Sequence, residues 1–192
     1  MHIVLHTCCG PCSVYPVEQL QKYGHTITGY FYNPNIHPFR EFRKRIAALR
    51  QLADTANFQV TIEADYGLKD FLRQVVFYEN DRCVKCYDMR LETTALYAVK
   101  IGADAFTTTL LYSKYQKHEI IRKKCEYFAL KYNLYFHYQD FREGWQYGID
   151  RSIEMDLYRQ PYCGCIYSEQ ERYDKKMGKK RKKKEKVAIY HA

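Results

Sequence analysis

The fold begins with the stretch His2-Ile3-Val4-Leu5-His6-Thr7-Cys8-Cys9-Gly10-Pro11-Cys12-Ser13. Its apolar first half is suited to a buried strand, and its second half to a turn that leads into a helix capped by Ser13. Three of the eight cysteines lie in this turn, at residues 8, 9 and 12. One buried cysteine behaves as a small hydrophobe. Three crowded thiols are an oxidation hazard unless something holds them, so we expect a metal or redox centre here.

Segments suited to strands alternate with segments suited to helices along the chain. Strands are expected at 2–6, 25–32, 58–63, 104–110 and 134–138. Helices are expected from 13 to 23 and at 39–57, 68–79, 87–101, 115–132 and 149–157. This alternation predicts an α/β fold with a mainly parallel sheet covered on both faces. Ligands of such folds bind beyond the carboxyl ends of the strands, where the first cysteine turn lies.

The composition is that of one soluble domain with a basic tail. The chain has 192 residues and a net charge of +9. Nearly all of this excess charge lies in residues 175–186, KKMGKKRKKKEK, so we expect one α/β domain over 1–174 and a basic tail over 175–192. The tail is either a phosphate-binding segment without sequence preference or a solvated terminus.

The location of the protein decides how its cysteines are interpreted. No apolar run is long enough to span a bilayer, so no membrane partner is expected. The N-terminus lacks the features of a signal peptide, so a cytoplasmic location is expected. Cytosolic thiols are normally kept reduced, and close-set pairs there indicate metal or catalytic sites rather than a disulfide framework.

Two further cysteine groups complement the first turn. Cys83-Val84-Lys85-Cys86 is a CxxC motif, a signal shared by zinc sites, iron–sulfur sites and redox pairs. The vicinal pair Cys8-Cys9 can complete a four-sulfur site with it only if their side chains converge, which a tight turn can arrange. An iron–sulfur cluster is favoured for that site, and zinc remains the alternative. Cys163-Gly164-Cys165 is a CxC motif, suited to a redox-active pair or to metal ligation. The eighth cysteine, Cys125, lies within a helical apolar pattern and is interpreted as a core residue.

Several blocks together resemble the QueH epoxyqueuosine reductase family. They occur in the family's order and span residues 6 to about 168. The blocks are HTCCGPCS at 6–13, FYNPNIHP at 31–38, CVKCY at 83–87 with RL at 90–91, FTTTLL at 106–111 with Ser113, and LYRQPYCGC at 157–165.

The resemblance implies a fold, a reaction and cofactors. The fold is a Rossmann-like three-layer α/β fold, and the reaction is the cobalamin-independent reduction of epoxyqueuosine to queuosine, the last step of queuosine biosynthesis. The partner is tRNA with epoxyqueuosine at its wobble position, together with an unidentified electron donor. A [4Fe–4S] cluster is assigned to Cys8, Cys9, Cys83 and Cys86, and a redox-active disulfide to Cys163 and Cys165. An adjacent mononuclear iron is also implied, and we assign it Cys12 and Asp88 because they lie near the cluster ligands in sequence.

Substrate contacts are expected from residues near the CxC motif and near the last strand. Tyr158 and Arg159 adjoin the CxC motif, whereas Asp140 and Arg142 follow the strand predicted at 134–138. Stacking aromatics and phosphate-binding cations suit a bulky nucleotide substrate. The alternatives are a zinc-binding module that binds RNA without catalysis, or another tRNA-modifying enzyme on a similar fold.

Overall fold

The computed structural model describes residues 1–174 and contains one five-stranded sheet. The strands are β1 (His2–His6), β2 (Thr26–Phe31), β3 (Gln59–Ile62), β4 (Ala105–Thr108) and β5 (Tyr135–Phe136). All neighbouring strands are parallel, and their order in the sheet is β3-β2-β1-β4-β5. The predicted α/β fold with a parallel sheet is therefore confirmed.

Seven α-helices surround the sheet within the described residues. They are α1 (Gly10–Lys22), α2 (Phe39–Ala56), α3 (Leu68–Val75), α4 (Arg82–Lys100), α5 (His118–Lys131), α6 (Trp145–Glu154) and α7 (Ile166–Tyr173). Helix α1 packs against α2 and α6, whereas α4 packs against α3 and α5. Parallel strands joined by right-handed crossovers place these two groups of helices on opposite faces, which gives three layers.

The strand order reverses between β1 and β4, and this reversal positions the site. The chain moves from β1 outward to β3, then returns to place β4 on the other side of β1. In parallel α/β sheets, a crevice opens beyond the carboxyl ends of the strands at such a point. His6 and Thr108 are register partners at the ends of these two strands. The segments after His6 and Thr108 therefore line the crevice.

The apolar pattern of the sequence explains the core. Ile3, Val4 and Leu5 are fully buried in the central strand, as a strand covered on both faces requires. Helix α2 buries one face, which carries Phe42, Ile46 and Leu49 at helical spacing. None of the helices within residues 1–174 has both the length and the apolar composition that crossing a bilayer requires. The basic segment at 175–192 lies outside the described residues.

Three helices begin earlier than the sequence predicts, and one of them is α6, which starts at Trp145 and not at residue 149. Helix α1 starts at Gly10, so Pro16 lies inside the helix, and Ser13 donates its hydroxyl to the Cys9 carbonyl instead of capping the N-terminus. Pro11 in the first turn favours this early start, because no backbone N–H is needed there. Helix α4 starts at Arg82 and not at Tyr87, so both cysteines of the CxxC motif lie within the helix.

Candidate metal centre

Three thiols meet where β1 passes into α1. Cys9 is the residue before the first helical turn, in extended conformation, and Cys12 lies within that turn. The sulfurs of Cys8, Cys9 and Cys12 all lie within 4.8 Å of one another, and those of Cys8 and Cys9 are 3.7 Å apart. All three residues are buried. The two side chains of the vicinal pair therefore converge, which a four-sulfur site requires, and the three sulfurs are close enough to bind a metal ion.

Close backbone packing fixes the turn that carries these thiols. A Cβ atom at Gly10 would lie 2.6 Å from the carbonyl oxygen of Ala48 in α2, so only glycine fits without a shift. On the opposite side, the Thr109 hydroxyl accepts a hydrogen bond from the Cys8 backbone N–H at 3.1 Å. The same hydroxyl donates to the Cys8 sulfur at 3.3 Å. The Cys8 side chain is therefore oriented by the residue that follows β4.

The three thiols share one favoured negative charge. Hydrogen bonds from the Cys12 and Cys9 thiols hold the pKa of Cys8 well below its usual range. The hydrogen bond that Cys12 makes to Cys8 raises the pKa of Cys12, and burial raises the pKa of Cys9. The helix N-terminus adds backbone dipoles that favour a thiolate. Since metals bind thiolates and not thiols, the turn is electrostatically suited to a metal.

The CxxC motif reaches the same edge of the sheet from the other face. Cys83 and Cys86 lie in the first turns of α4, which runs toward β4 and so begins at the carboxyl edge of the strands. Residues three apart on a helix lie on one side, so these two sulfurs face the same way. Cys86 is buried and Cys83 is half-buried. Burial raises the pKa of Cys86 to about 12.

A buried arginine connects the CxxC helix to the central strand. Arg90 of α4 is 2% exposed, and its Nη1 lies 3.7 Å from the Cys86 sulfur. Its Nε donates to Nε2 of His6 at 3.4 Å. Burial, together with the Arg90 charge, lowers the pKa of His6 to about 3, so the imidazole is neutral. Because Nε2 accepts from Arg90, the ring proton sits on Nδ1, which is 2.9 Å from the Thr108 hydroxyl oxygen.

No carboxylate forms an ion pair with Arg90 among residues 1–174. A buried guanidinium is costly without a compensating anion. The groups that act electrostatically on Arg90 and can carry negative charge are the thiols of Cys86, Cys8 and Cys163. The arrangement therefore favours thiolates, which are the ligands of iron–sulfur and zinc sites.

The CxC motif brings the third pair of thiols to this edge. Cys165 is 8% exposed and packs in one apolar cluster with Cys86, Phe71 and Val75. Its sulfur accepts a hydrogen bond from the Ser168 backbone N–H at 3.4 Å, at the start of α7. Cys163 is exposed. Cys163 is thus an exposed residue and Cys165 a covered one, although desolvation still raises the pKa of the Cys163 thiol.

Two glutamines contact these thiols, and sequence analysis did not identify either of them. Gln116 Nε2 donates to the Cys163 sulfur at 3.1 Å, and Gln160 Nε2 donates to the Cys12 sulfur at 3.1 Å. Gln116 is itself oriented by the Tyr87 hydroxyl, which donates to Gln116 Oε1 at 2.8 Å. Gln160 lies inside the block LYRQPYCGC and was the only one of the two with a sequence signal.

Asp88 and Cys125 both lie away from the three clustered thiols. Asp88 pairs with Lys124 Nζ at 2.7 Å, and it lies two residues from both Cys86 and Arg90, so it faces the other side of α4. The structure therefore does not bring Asp88 to the three clustered thiols. Cys125 is fully buried in the main core beside Phe128, which confirms the interpretation of Cys125 as a core residue.

The four predicted substrate residues have contacts of their own. The Tyr158 hydroxyl donates to Glu41, and Lys44 Nζ lies 5.0 Å from the Tyr158 ring centroid. Arg159 is exposed beside Gln160. Asp140 and Arg142, after β5, are paired with each other through Arg142 Nη2 and Asp140 Oδ2 at 2.6 Å. Only Arg159 of these four adjoins a residue that contacts a clustered thiol.

Comparison with known proteins connects this arrangement to a family. The family model described as epoxyqueuosine reductase QueH matches residues 3–171. A protein of Dehalococcoides mccartyi named epoxyqueuosine reductase QueH is 39% identical over 175 residues, which cover 90% of this chain and 95% of that protein. Its namesake in Streptococcus pyogenes serotype M1 is 36% identical over 178 residues, covering 86% of this chain and 69% of that protein.

A third protein of the same name, from Helicobacter pylori, is 32% identical over 180 residues, covering 86% of this chain and 49% of that protein. The matched region contains β1 to β5 and all seven clustered cysteines. From the thiol-lined edge of the sheet and these matches together, we conclude that the chain belongs to the epoxyqueuosine reductase QueH family of oxidoreductases.

Proposed function

We propose that the protein is an epoxyqueuosine reductase that acts on tRNA carrying epoxyqueuosine at the wobble position and forms queuosine without cobalamin. Membership of the QueH family supports this proposal. The observation that carries it is the assembly of three cysteine groups at the carboxyl edge of one parallel sheet. Seven thiols at such an edge suit reductive chemistry, because thiolates hold redox metals and thiol pairs exchange two electrons.

The chemistry of these thiols suits the proposed metal cofactors, because thiolates are the ligands of iron–sulfur clusters. We assign Cys8, Cys9, Cys83 and Cys86 as the residues that hold a [4Fe–4S] cluster. Cys12, whose sulfur lies within 4.8 Å of those of Cys8 and Cys9, is assigned to the adjacent iron. The buried Arg90, which no carboxylate pairs within residues 1–174, supports a negatively charged group in this place. When bound, these cofactors supply single-electron transfer and a Lewis-acidic iron.

Cys163 and Cys165 are proposed as the two-electron store. Removal of the epoxide oxygen as water, with formation of a carbon–carbon double bond, consumes two electrons and two protons. Oxidation of a Cys163/Cys165 dithiol to its disulfide releases the same number of both, so the reaction balances. The exposure of Cys163 allows an outside donor to reduce the disulfide again. Gln116 donates a hydrogen bond to the Cys163 sulfur at 3.1 Å.

Exposed polar groups near the thiols are proposed to hold the nucleotide. Arg159 offers a positive charge for a phosphate, next to the glutamine that contacts Cys12. Tyr158, Asp140 and Arg142 stay candidates for substrate contact, although each has an intramolecular partner in this structure. The basic segment at 175–186 is proposed to add affinity for RNA without sequence preference.

The test is conversion of an anticodon stem-loop that carries epoxyqueuosine. The protein is reconstituted anaerobically with iron and sulfide and is then incubated with this RNA and a reductant. The RNA is digested, and its nucleosides are identified by liquid chromatography and mass spectrometry. We expect epoxyqueuosine to lose one oxygen atom. Cys163→Ser and Cys165→Ser are expected to abolish multiple turnover, whereas the core variant Cys125→Ala retains it. Full multiple turnover in both serine variants removes the dithiol from the mechanism.

A zinc site is the second candidate, because one observation favours it. The sulfurs of Cys8 and Cys9 are 3.7 Å apart. This matches the roughly 3.8 Å between two thiolates on one tetrahedral zinc, given a Zn–S bond of about 2.3 Å. Such a site predicts a colourless protein that binds RNA and leaves epoxyqueuosine unchanged. Metal analysis of the same preparation therefore decides between a zinc module and a reductase.

A further inference from the structure

A buried arginine holds the backbone of the CxC loop. Arg45 lies in the middle of α2 and is 1% exposed. Its Nη1 donates to the carbonyl oxygen of Cys163 at 2.8 Å, and its Nη2 donates to the carbonyl oxygen of Tyr162 at 2.9 Å. One rigid, planar guanidinium thus fixes two successive peptide units of the loop.

The other two carbonyls of the loop also have donors. The His37 backbone N–H donates to the Gly164 carbonyl at 2.8 Å, and the Ser168 hydroxyl donates to the Cys165 carbonyl at 2.7 Å. Gly164 has φ of +146°, and a Cβ atom there would lie 2.9 Å from Asn35 Nδ2. The loop backbone is therefore held at every carbonyl from residue 162 to residue 165, in a conformation that only glycine adopts at its centre.

The guanidinium itself is oriented by an acid one helical turn earlier. Arg45 Nε donates to Glu41 Oε1 at 2.7 Å, and both side chains are buried. The Tyr158 hydroxyl donates to the second carboxylate oxygen of Glu41. Each of the three guanidinium nitrogens thus donates a hydrogen bond, Nε to the carboxylate and the two Nη atoms to the loop. Because the two nitrogens that do not contact Glu41 donate to the CxC loop, this buried ion pair is suited to positioning that loop.

We propose that Arg45 is a positioning residue that holds the Cys163-Gly164-Cys165 loop in its dithiol form. This inference rests on the proposed redox role of the two cysteines. In the held loop each sulfur has its own partner, Gln116 for Cys163 and the Ser168 N–H for Cys165. Both cysteines are free thiols in this structure, so a bond between their sulfurs requires the sulfurs to approach each other and the loop to move. Arg45 therefore stabilises the dithiol relative to the disulfide, which eases regeneration by an outside thiol.

The test is the equilibrium of the pair with glutathione. In this exchange the protein dithiol and glutathione disulfide form the protein disulfide and two glutathione molecules, so two electrons and two protons pass to glutathione. Arg45→Lys keeps the positive charge but cannot donate to both carbonyls and to Glu41 in the same geometry. Loss of a charge-assisted hydrogen bond predicts an equilibrium constant for disulfide formation that is about tenfold higher.

A matched control comes from a surface pair of the same kind. Arg122 and Glu126 form an i,i+4 pair at 2.8 Å on α5, and both are about half exposed. Arg122→Lys is expected to leave the glutathione equilibrium unchanged. The disulfide fraction is measured by mass spectrometry of the peptide that contains both cysteines, in holoprotein of equal iron content. An equilibrium constant for Arg45→Lys within twofold of the wild type overturns the proposal.

Alkylation gives a second readout. In the wild-type dithiol, iodoacetamide is expected to modify the exposed Cys163 much faster than the buried Cys165. Arg45→Lys is expected to reduce this ratio of rates about tenfold, because the loop loses a charge-assisted hydrogen bond from residue 45. An unchanged ratio contradicts the positioning role.

If Arg45→Lys fails to fold, the double variant Glu41→Met/Arg45→Met removes both buried charges together. Replacing a buried pair by apolar residues of similar size is often tolerated. This variant is expected to show the same increase in the equilibrium constant for disulfide formation.

The role of Arg45 and the proposed redox role of the two cysteines can be refuted independently of each other. If Cys163→Ser retains full turnover, the redox role falls, while the glutathione equilibrium still reports whether Arg45 holds the loop.

Discussion

Nε of Arg90 lies 3.4 Å from Nε2 of His6, and this contact connects the middle of α4 to the end of β1. The two residues are 84 positions apart in the sequence. The contact brings the CxxC motif toward the three thiols that follow β1. It also places a buried positive charge where the available negative groups are sulfurs. The charge of Arg90 therefore favours thiolates at this site even without a bound metal.

Replacement of Arg90 by Met tests this charge balance. Without the guanidinium, a cluster held by thiolates has less compensation, so reduction becomes harder. By Coulomb's law at an effective dielectric constant of about 20, removal of this nearby charge is expected to lower the reduction potential on the order of 100 mV. The measurement is an anaerobic redox titration followed by electron paramagnetic resonance. Arg122→Met is the control, and an equal potential in the Arg90 and control variants contradicts the assignment.

Gly164→Ala tests the crowding at the centre of the CxC loop. Gly164 and Gly24 both have positive φ, but only at Gly164 does an added Cβ meet other atoms, at 2.9 Å from Asn35 Nδ2. Gly164→Ala is expected to lower turnover at least about tenfold, because the loop must move. Gly24→Ala is expected to cost about 1 kcal/mol of stability and to leave turnover unchanged. Equal turnover in these two variants would show that turnover does not depend on the conformation of the CxC loop.

His37 predicts a pH dependence of stability. Its side chain is buried at 2% exposure beside Tyr66 and Phe71, and burial lowers its pKa to about 4. Below an unfolded pKa of about 6.5, the unfolded chain binds a proton that the folded one does not, so stability falls as the pH drops.

From pH 6.5 to pH 4 the loss approaches about 3 kcal/mol for this group. His37→Phe keeps a ring and removes the titration, so its free energy of unfolding is expected to fall less over the same range. Denaturant unfolding of both proteins at several pH values measures the difference, in which the other histidines cancel. Parallel curves for the two proteins show that His37 does not titrate as described.

Removal of single ligands distinguishes the two proposed metals. Cys8→Ala and Cys83→Ala are expected to lose iron and sulfide together, whereas Cys12→Ala is expected to lose about one iron and keep the cluster. Asp88→Asn is expected to keep all iron, since its carboxylate pairs with Lys124 at 2.7 Å. Iron and sulfide assays on purified variants measure this. Loss of one iron in Asp88→Asn restores Asp88 as a ligand and requires α4 to turn.

The general layout of the site was predictable from local sequence features. Apolar runs such as Ile3 to Leu5 predict buried parallel strands, and the carboxyl edge of such a sheet is where ligands bind. The cysteine groups at 8–12, 83–86 and 163–165 have characteristic spacings, so the sequence alone predicts metal or redox sites there. The early start of α4 was not predictable, because Asp81 before it makes no side-chain capping bond.

The residues that hold the site together could not be predicted. Arg45 reaches the carbonyl of a residue 118 positions away, and Gln160 reaches a sulfur 148 positions away. Nothing local marks either side chain, since arginine and glutamine are ordinary residues of helices and loops. Tyr158, in contrast, has a sequence signal that points to a different role from the one its contacts show. Its place beside the CxC motif suggests substrate contact, but its hydroxyl donates to Glu41 and so supports Arg45.

The central claim is that the thiols at this edge hold iron and sulfide for a reductase. The most direct measurement is an anaerobic assay of metal and acid-labile sulfide in the reconstituted protein, with its absorption spectrum. The account predicts a brown protein with broad visible absorption, about four sulfides and about five irons per chain. A colourless protein with one zinc and no sulfide would contradict it.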